Sequence, residues 1–488
     1  MVSREELIAE NKAQKAQIAS LQFQLKELQK MVYGAKRERF VPATADNQLN
    51  IFSEPESEEQ TELESTTEEV SYTRKKKKKH RGRNAFPDHL PVEEQVIEPE
   101  EDTTDMVCIG QEVSDTVEYT PASLYIHRII RPKYAPKQGE GEIKIASLPG
   151  KPIDKGIAGS SLLAWILVSK FVDHMPFYRM RQRFKREYGW EVSSSTINDW
   201  FVAVCTLLRP LYDHMREKIL ESGYIQADES HIKVQDNKKE KTTHRGFQWV
   251  YHGVEEKLIL FHYRKGRGNH GPKEFLRDYQ GWLQVDGYGV YDKIGAQKGI
   301  DLMGCHVHVR RKFYEAKEYD QKRAKHALEV YRQLYDIETQ CRNMSSEQRH
   351  EYRNEHSRPI LEGFKKWLDE EAVRVLPKST MGNAIRYAIR QWHKTIRVLE
   401  DGRLEMDNNL VENKIRPLAL GRKNYLFAGS HDAAQRIAMM YSFFATCKAH
   451  EVNPYEWLKV TLDKMPDHPV NRLNELLPTK IAIKEESA

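Results

Sequence analysis

Near the start of the chain, apolar positions repeat at alternating intervals of three and four residues. Ile18, Leu21, Leu25, Leu28 and Val32 form the seam, Leu7 extends it, and Asn11 and Gln14 interrupt it. That spacing predicts a short coiled coil over residues 5–32, within a first segment of 1–40. The polar seam residues cost stability there but fix partner and register. The alternative is an amphipathic helix packed on its own chain. Residues 41–83 show no periodicity. Eight acidic and no basic residues lie between Glu54 and Glu69, and the basic run from Arg74 to Arg83 then reverses the charge. Such blocks cannot bury enough apolar surface to fold, so a disordered linker is expected.

From residue 84 to 155, short β-like pieces at 116–119 and 124–130 alternate with turns, as in a small β-rich module. Residues 156–222 read as helical. A basic periodic stretch at 177–188 is interrupted by Gly189 and restarts after Ser193, Ser194, Ser195 and Thr196, which are good N-caps. Helix, glycine turn and capped helix outline a helix-turn-helix. Packing of three helices without DNA contact is the plainer alternative. Strand-like runs follow at 224–228, 246–251, 257–263 and 281–287, with a helical piece at 272–279. Residues 308–400 are helical and strongly charged, and 431–488 form a helical C-terminal region and tail. The expected architecture is therefore α/β and multidomain, with a mixed α/β region at 223–430 that carries a helical insertion at 308–400.

Composition narrows the class. The chain has 488 residues, 39% hydrophobic, 31% charged and a formal net charge of +5, enough for two to four domains. No apolar run approaches the ~18 residues of a membrane helix, and no secretory core follows Met1. Five dispersed cysteines read as reduced thiols in a cytoplasmic protein.

The candidate chemistry is acidic. Asp228 and Asp286 each stand at the end of an apolar strand, where neighbouring carboxylates repel unless a cation lies between them. A lone aspartate there is more often a turn former. In residues 404–417, Asp407 or Asn408 can cap a helix that places Glu412 one turn in, while Leu410, Val411 and Ile415 can face a core. Lys414, Arg416, Arg422 and Lys423 follow, cations suited to a phosphate backbone. The run of Lys75, Lys76, Lys77, Lys78 and Lys79 can hold DNA phosphates without reading sequence.

The stretch DNNLVENKIRPLALGRKNYLFAGS, from Asp407 to Ser430, resembles the C-terminal catalytic signature of the insertion-sequence-66 transposase family. Further landmarks of that family resemble, in order, the segments at 33–40, 130–135, 167–179, 227–230, 285–288 and 305–313. The resemblance implies an RNase H-like catalytic domain with Asp228, Asp286 and Glu412 as a DDE triad. Asp228 is preferred to Glu229, which faces the other way on an alternating strand. It implies two Mg²⁺ or Mn²⁺ ions and in-line cleavage and joining of DNA strands. His308 and Arg311 are expected to line the DNA path, and Arg416, Arg422 and Lys423 to contact phosphates.

The implied partners are double-stranded DNA, as terminal inverted repeats and target, further copies of the chain joined through residues 5–32, and helper proteins of the same element. The implied location is the cytoplasm, at the nucleoid. Family members commonly carry paired cysteines of a zinc module, but only Cys108 stands in that region, so structural zinc is not expected. Two rival readings are a catalytically inactive DNA-binding regulator and a nuclease that cuts without joining.

Overall fold

The computed structural model describes residues 90–99, 101, 106–120, 123–136, 142–235 and 243–479. The expected coiled coil at 5–32 and the charged linker, with its lysines at 75–79, lie outside the described residues.

Strands β1 (Val92–Val96), β2 (Met106–Thr120), β3 (Ser123–Pro136) and β4 (Lys144–Ile145) make the first sheet. β2 and β3 form an antiparallel hairpin, with β1 parallel and β4 antiparallel to β3. Both hairpin strands outrun the apolar pieces read from sequence. Charge pairs extend them: Glu112 lies opposite Arg131 and Asp115 opposite Arg128, and each couple forms a salt bridge at 3.3 Å. Apolar alternation does not register such cross-strand pairs.

Helices α1 (Ser160–Phe171), α2 (Phe177–Tyr188), α3 (Ser194–Leu207) and α4 (Arg209–Leu220) follow. Gly189 ends α2 at φ 63, in the left-handed region that glycine tolerates, and its N–H donates to the Lys185 and Phe184 carbonyls. The Ser193 hydroxyl caps α3 by accepting from the Thr196 N–H at 2.9 Å. The helix–turn–helix outline is therefore present, with Met180, Phe184, Ile197 and Trp200 buried and Arg179, Lys185 and Arg186 exposed.

The second sheet contains β5 (Tyr224–Gln235), β6 (Thr243–Gly253), β7 (Leu258–Arg264), β8 (Gly281–Val285) and β9 (Ile300–Gly304), ordered β7-β6-β5-β8-β9. Short helices α5 (His270–Phe275) and α6 (Val290–Gly295) connect its later strands. β5 is antiparallel to β6 and parallel to β8. β9 was not legible, being five residues interrupted by Asp301. Helices α7 (His306–Glu315), α8 (Gln321–Gln340), α9 (Ser346–Ala372) and α10 (Thr380–Thr395) come next, then α11 (Asn409–Tyr425), α12 (His431–Ala449) and α13 (Pro454–Lys464).

The described residues divide into two compact units, Gly304–Met406 and the remainder. In the larger unit the hairpin, helices and sheet share one hydrophobic cluster, so the sequence boundaries at 155, 222 and 430 do not separate cores. Its edge strand β7 is closed by side chains. The Phe261 N–H donates to Ser442 Oγ at 2.8 Å and the Ile259 N–H to Thr446 Oγ at 3.1 Å, both from α12. The Tyr212 hydroxyl donates to the Phe261 carbonyl at 2.7 Å. An edge that would otherwise offer unpaired backbone groups is thereby satisfied.

The smaller unit is helical. Phe313, Tyr331, Phe364 and Trp367 pack together, and the unit also holds a buried ion network. The fully buried Arg353 donates twice to Glu338, at 2.8 and 2.7 Å, and Arg349 links Glu338 to Glu405. Burial alone would raise the Glu338 carboxyl. The hydrogen bonds and charges of Arg353 and Arg349 outweigh it and hold the group below its ordinary value.

Two consequences are measurable. Ser442→Ala with Thr446→Val strands two buried N–H groups and should cost about 1–3 kcal/mol for each site in chemical unfolding. Glu338, lowered from 4.5, contributes stability that is present above that value and lost as pH falls through its folded pKa. Glu338→Gln should lower protection of α8 and α9 in hydrogen exchange at neutral pH, by about 3–5 kcal/mol, and flatten its decline in acid.

Candidate functional site

The site begins with a strand register. β8 pairs with β5 in parallel, Tyr224 opposite Trp282, Ile225 opposite Leu283 and Gln226 opposite Gln284. Asp228 and Asp286 each lie two residues beyond the last pair. In parallel strands of period two, they leave neighbouring strands side by side on the face of Gln226 and Gln284. β5 itself does not end at Asp228, as the apolar run predicted. It continues to Gln235 against β6, because pairing carries it through Glu229, Ser230 and His231. Asp228 therefore stands where one neighbour strand stops and the other continues.

That shared face carries a buried amide network. Gln226 Nε2 donates to Gln284 Oε1 at 2.8 Å, and the Tyr224 hydroxyl donates to the same oxygen. Gln226 Nε2 also reaches the Asp407 carbonyl at 3.1 Å, while its Oε1 accepts from the Val411 N–H at 3.3 Å. Asn408 Nδ2 donates to the Ala227 carbonyl at 3.0 Å. These bonds fasten the first turn of α11 to β5. Asn408 occupies the N-cap position, but its side chain is used on β5, and the Asp407 carboxylate takes the Asn409 N–H at 3.0 Å instead. Val411 and Ile415 are buried as expected, while Leu410 is 40% exposed and does not face the core. Glu412 follows in the first turn, where the helix dipole favours a carboxylate.

The three acids act on one another. Asp228 is half-buried, and its carboxyl is held well above the ordinary range, first by burial and then by repulsion from Glu229, Asp286 and Glu412. Asp286 Oδ1 accepts from the Tyr288 N–H at 2.9 Å, and Asp228 Oδ1 from the Glu229 N–H at 2.8 Å. Carboxylates crowded in this way are relieved by a cation, and an all-oxygen donor set fits Mg²⁺ or Mn²⁺.

The neighbouring acid Glu229 turns to other partners. Arg267 Nε donates to its Oε1 at 2.8 Å, and the Tyr291 hydroxyl to its Oε2 at 3.1 Å. Sequence reasoning passed over Gln226, Gln284 and Arg267, and offered Asn408 only as a helix cap. The amides had a signal, since both strands read Gln-x-Asp, residues 226–228 and 284–286.

The expected DNA contacts are distributed unevenly. Arg416 and Lys423 are exposed on α11. They lie four and eleven positions after Glu412, so the three residues share one helix stripe. Arg422 is fastened instead, its Nη1 donating to the His231 carbonyl at 2.6 Å and to Ser230 Oγ at 2.9 Å. Burial, then Arg422, Arg245 and Lys233, push His231 down to about 4, which marks a positive field beside β5. His308 and Arg311 lie half-buried on α7, in the smaller unit. Among the described residues, no helix is long and apolar enough to cross a membrane.

Known proteins resemble this chain along most of its length. Residues 155–436 match the Transposase IS66 family, residues 442–479 the IS66 C-terminal element, and residues 20–94 an element described as Transposase C of IS166 homeodomain. The uncharacterized protein y4qI of Sinorhizobium fredii is 32% identical, over 97% of this chain and 90% of its own length. A second uncharacterized protein of that organism, y4hP, is 30% identical over 94% of this chain and 88% of its own. With a family match over more than half of its residues and relatives alike almost end to end, the chain belongs to the IS66 transposase family.

Proposed function

We propose that this protein binds the ends of a mobile DNA element and catalyses metal-dependent strand cleavage and strand transfer, with Asp228, Asp286 and Glu412 as the cation-binding triad. The observation that supports the reading is the parallel register of β5 and β8, from which the two aspartates leave neighbouring strands, together with the bonds that tie the first turn of α11, which carries Glu412, to β5. The mutual repulsion felt by Asp228 supports it. The strand order, antiparallel through β7-β6-β5 and parallel at β8, supports an RNase H-like catalytic domain. Acids at a point where the sheet changes sense also match the usual place of ligand sites in mixed sheets.

Two divalent cations at these carboxylates would supply activation of the attacking oxygen and charge stabilisation at the leaving oxygen of an in-line displacement. The protein's own part is positional. Gln226, Gln284 and Asn408 hold the three acids on rigid elements, while Arg416 and Lys423 give the backbone phosphates a cationic track along α11. In the first step water attacks a phosphodiester and releases a 3′-hydroxyl. In the second, that hydroxyl attacks a target phosphodiester and releases a target 3′-oxygen. We assign His308, Arg311 and the lysines at 75–79 to further DNA contacts, and residues 5–32 to self-association.

Two measurements test the reading. Asp286→Asn should lower strand transfer of a precleaved end by about 10³-fold or more while leaving end binding measurable. Undiminished transfer would remove the residue from the site, and transfer absent from the parent protein under every cation condition would favour an inactive regulator. Arg416→Ala with Lys423→Ala should weaken binding on all sequences alike and reduce the salt dependence by about one unit of slope per lost phosphate contact, read by fluorescence anisotropy.

A further inference from the structure

The backbone ladder between β5 and β8 stops at Gln226 and Gln284, so it does not itself set the spacing of Asp228 and Asp286. Side chains bridge the gap. Glu229 is the next residue of β5 after Asp228, and its side chain is 2% exposed. Its Oε1 accepts from Arg267 Nε at 2.8 Å and pairs with Arg267 Nη2 at 2.6 Å. Arg267 comes from the loop between β7 and α5, and its guanidinium lies 4.1 Å from the centre of the Tyr288 ring. The Tyr288 hydroxyl donates back to the Arg267 carbonyl at 3.0 Å. The Tyr288 N–H donates to Asp286 Oδ1, and the Tyr291 hydroxyl donates to Glu229 Oε2. One chain of contacts thus runs from the residue after Asp228, through Arg267, to Tyr288, two positions after Asp286.

We infer that Glu229, Arg267, Tyr288 and Tyr291 form a positioning clamp that holds Asp228 and Asp286 at the spacing cation binding requires. The inference rests on the reading that these aspartates hold the cations. Two features argue against an incidental ion pair. Glu229 buries a carboxylate beside acids that already repel one another, a placement that costs energy unless its partner is fixed. Arg267 is fixed from two sides, by the ring of Tyr288 beneath its guanidinium and by the hydroxyl of Tyr288 on its carbonyl. The arginine fork meets Glu229 through Nε and Nη2 while its plane lies over the Tyr288 ring, a combination a lysine ammonium cannot reproduce. Glu229 and Arg267 are positioning residues here, acting through the aspartates.

The test uses the full-length protein and Mn²⁺ as probe, with binding read by electron paramagnetic resonance in the absence of DNA. Strand transfer of a precleaved end is measured across Mn²⁺ concentration. Residues that orient metal ligands typically contribute about 10–100-fold in cation affinity. Arg267→Ala should therefore raise the Mn²⁺ dissociation constant by about tenfold or more, with transfer at saturating Mn²⁺ falling far less. Arg267→Lys, which keeps the charge but not the fork, should resemble Arg267→Ala. Tyr291→Phe, which removes one hydroxyl and no charge, should weaken Mn²⁺ binding in the same direction, and it carries the test if Arg267→Ala does not fold. Arg267→Lys binding Mn²⁺ like the parent would assign the effect to charge and overturn the clamp. Unchanged Mn²⁺ binding in Arg267→Ala, or in Tyr291→Phe where that variant must stand in for it, would overturn it as well, while loss of binding in Asp286→Asn left the triad standing. Parent-like Mn²⁺ binding in Asp286→Asn would instead sink the triad itself.

Discussion

Parallel pairing of β8 with β5 is the constraint on which the candidate site depends, because a strand register decides which side chains can meet. Three paired positions fix the face, though not the spacing, of the residues that follow. With Gln226 opposite Gln284, period-two alternation puts Asp228 beside Asp286, whereas a slip of one residue would turn one of them to the other face. The buried amides make such a slip costly, since each would lose its hydrogen-bond partner while remaining fully buried. The same Gln226 reaches α11 on both its amide atoms, so one side chain contributes to both the strand register and the seating of α11.

The electrostatics follow from that geometry. Four carboxylates occupy a short stretch of sheet and helix, and Asp228 feels the other three. One of the four, Glu229, is answered by Arg267. The remaining three, Asp228, Asp286 and Glu412, are the acids we propose as cation ligands, since a bound cation would offset the repulsion that raises Asp228. The cations of α11 are divided in use. Arg422 ties the helix to β5, while Arg416 and Lys423 stay exposed on the stripe of Glu412. A helix fixed at one arginine can present its other charges without moving the carboxylate it carries.

Much of this was legible before any coordinates. Period-two apolar runs marked β5, β6, β7 and β8, and the capped segment at 404–417 placed Glu412 one turn into a helix. Illegible features shared a physical cause: they depend on partners distant in sequence. β5 runs on through Glu229, Ser230 and His231 because β6 pairs with them, and the hairpin strands run on because opposite charges face each other. Arg267 stands in a glycine-rich loop, and only its partners Glu229 and Tyr288, distant in the chain, give it a role. Helical spacing lets Leu410 face a core with Val411 and Ile415, but with α11 held by the bonds to Gln226 and from Asn408 it stands exposed. The amide network did leave a trace, the repeated Gln-x-Asp, whose meaning appears only once the two strands are known to be parallel neighbours.

The most direct measurement of the central claim is anomalous X-ray scattering from crystals of the full-length protein soaked in Mn²⁺. Manganese peaks are expected at coordination distance, roughly 2.0–2.6 Å, from carboxylate oxygens of Asp228, Asp286 and Glu412 together. Manganese bound elsewhere, with these three carboxylates bare in a protein that still joins DNA strands, would contradict that claim.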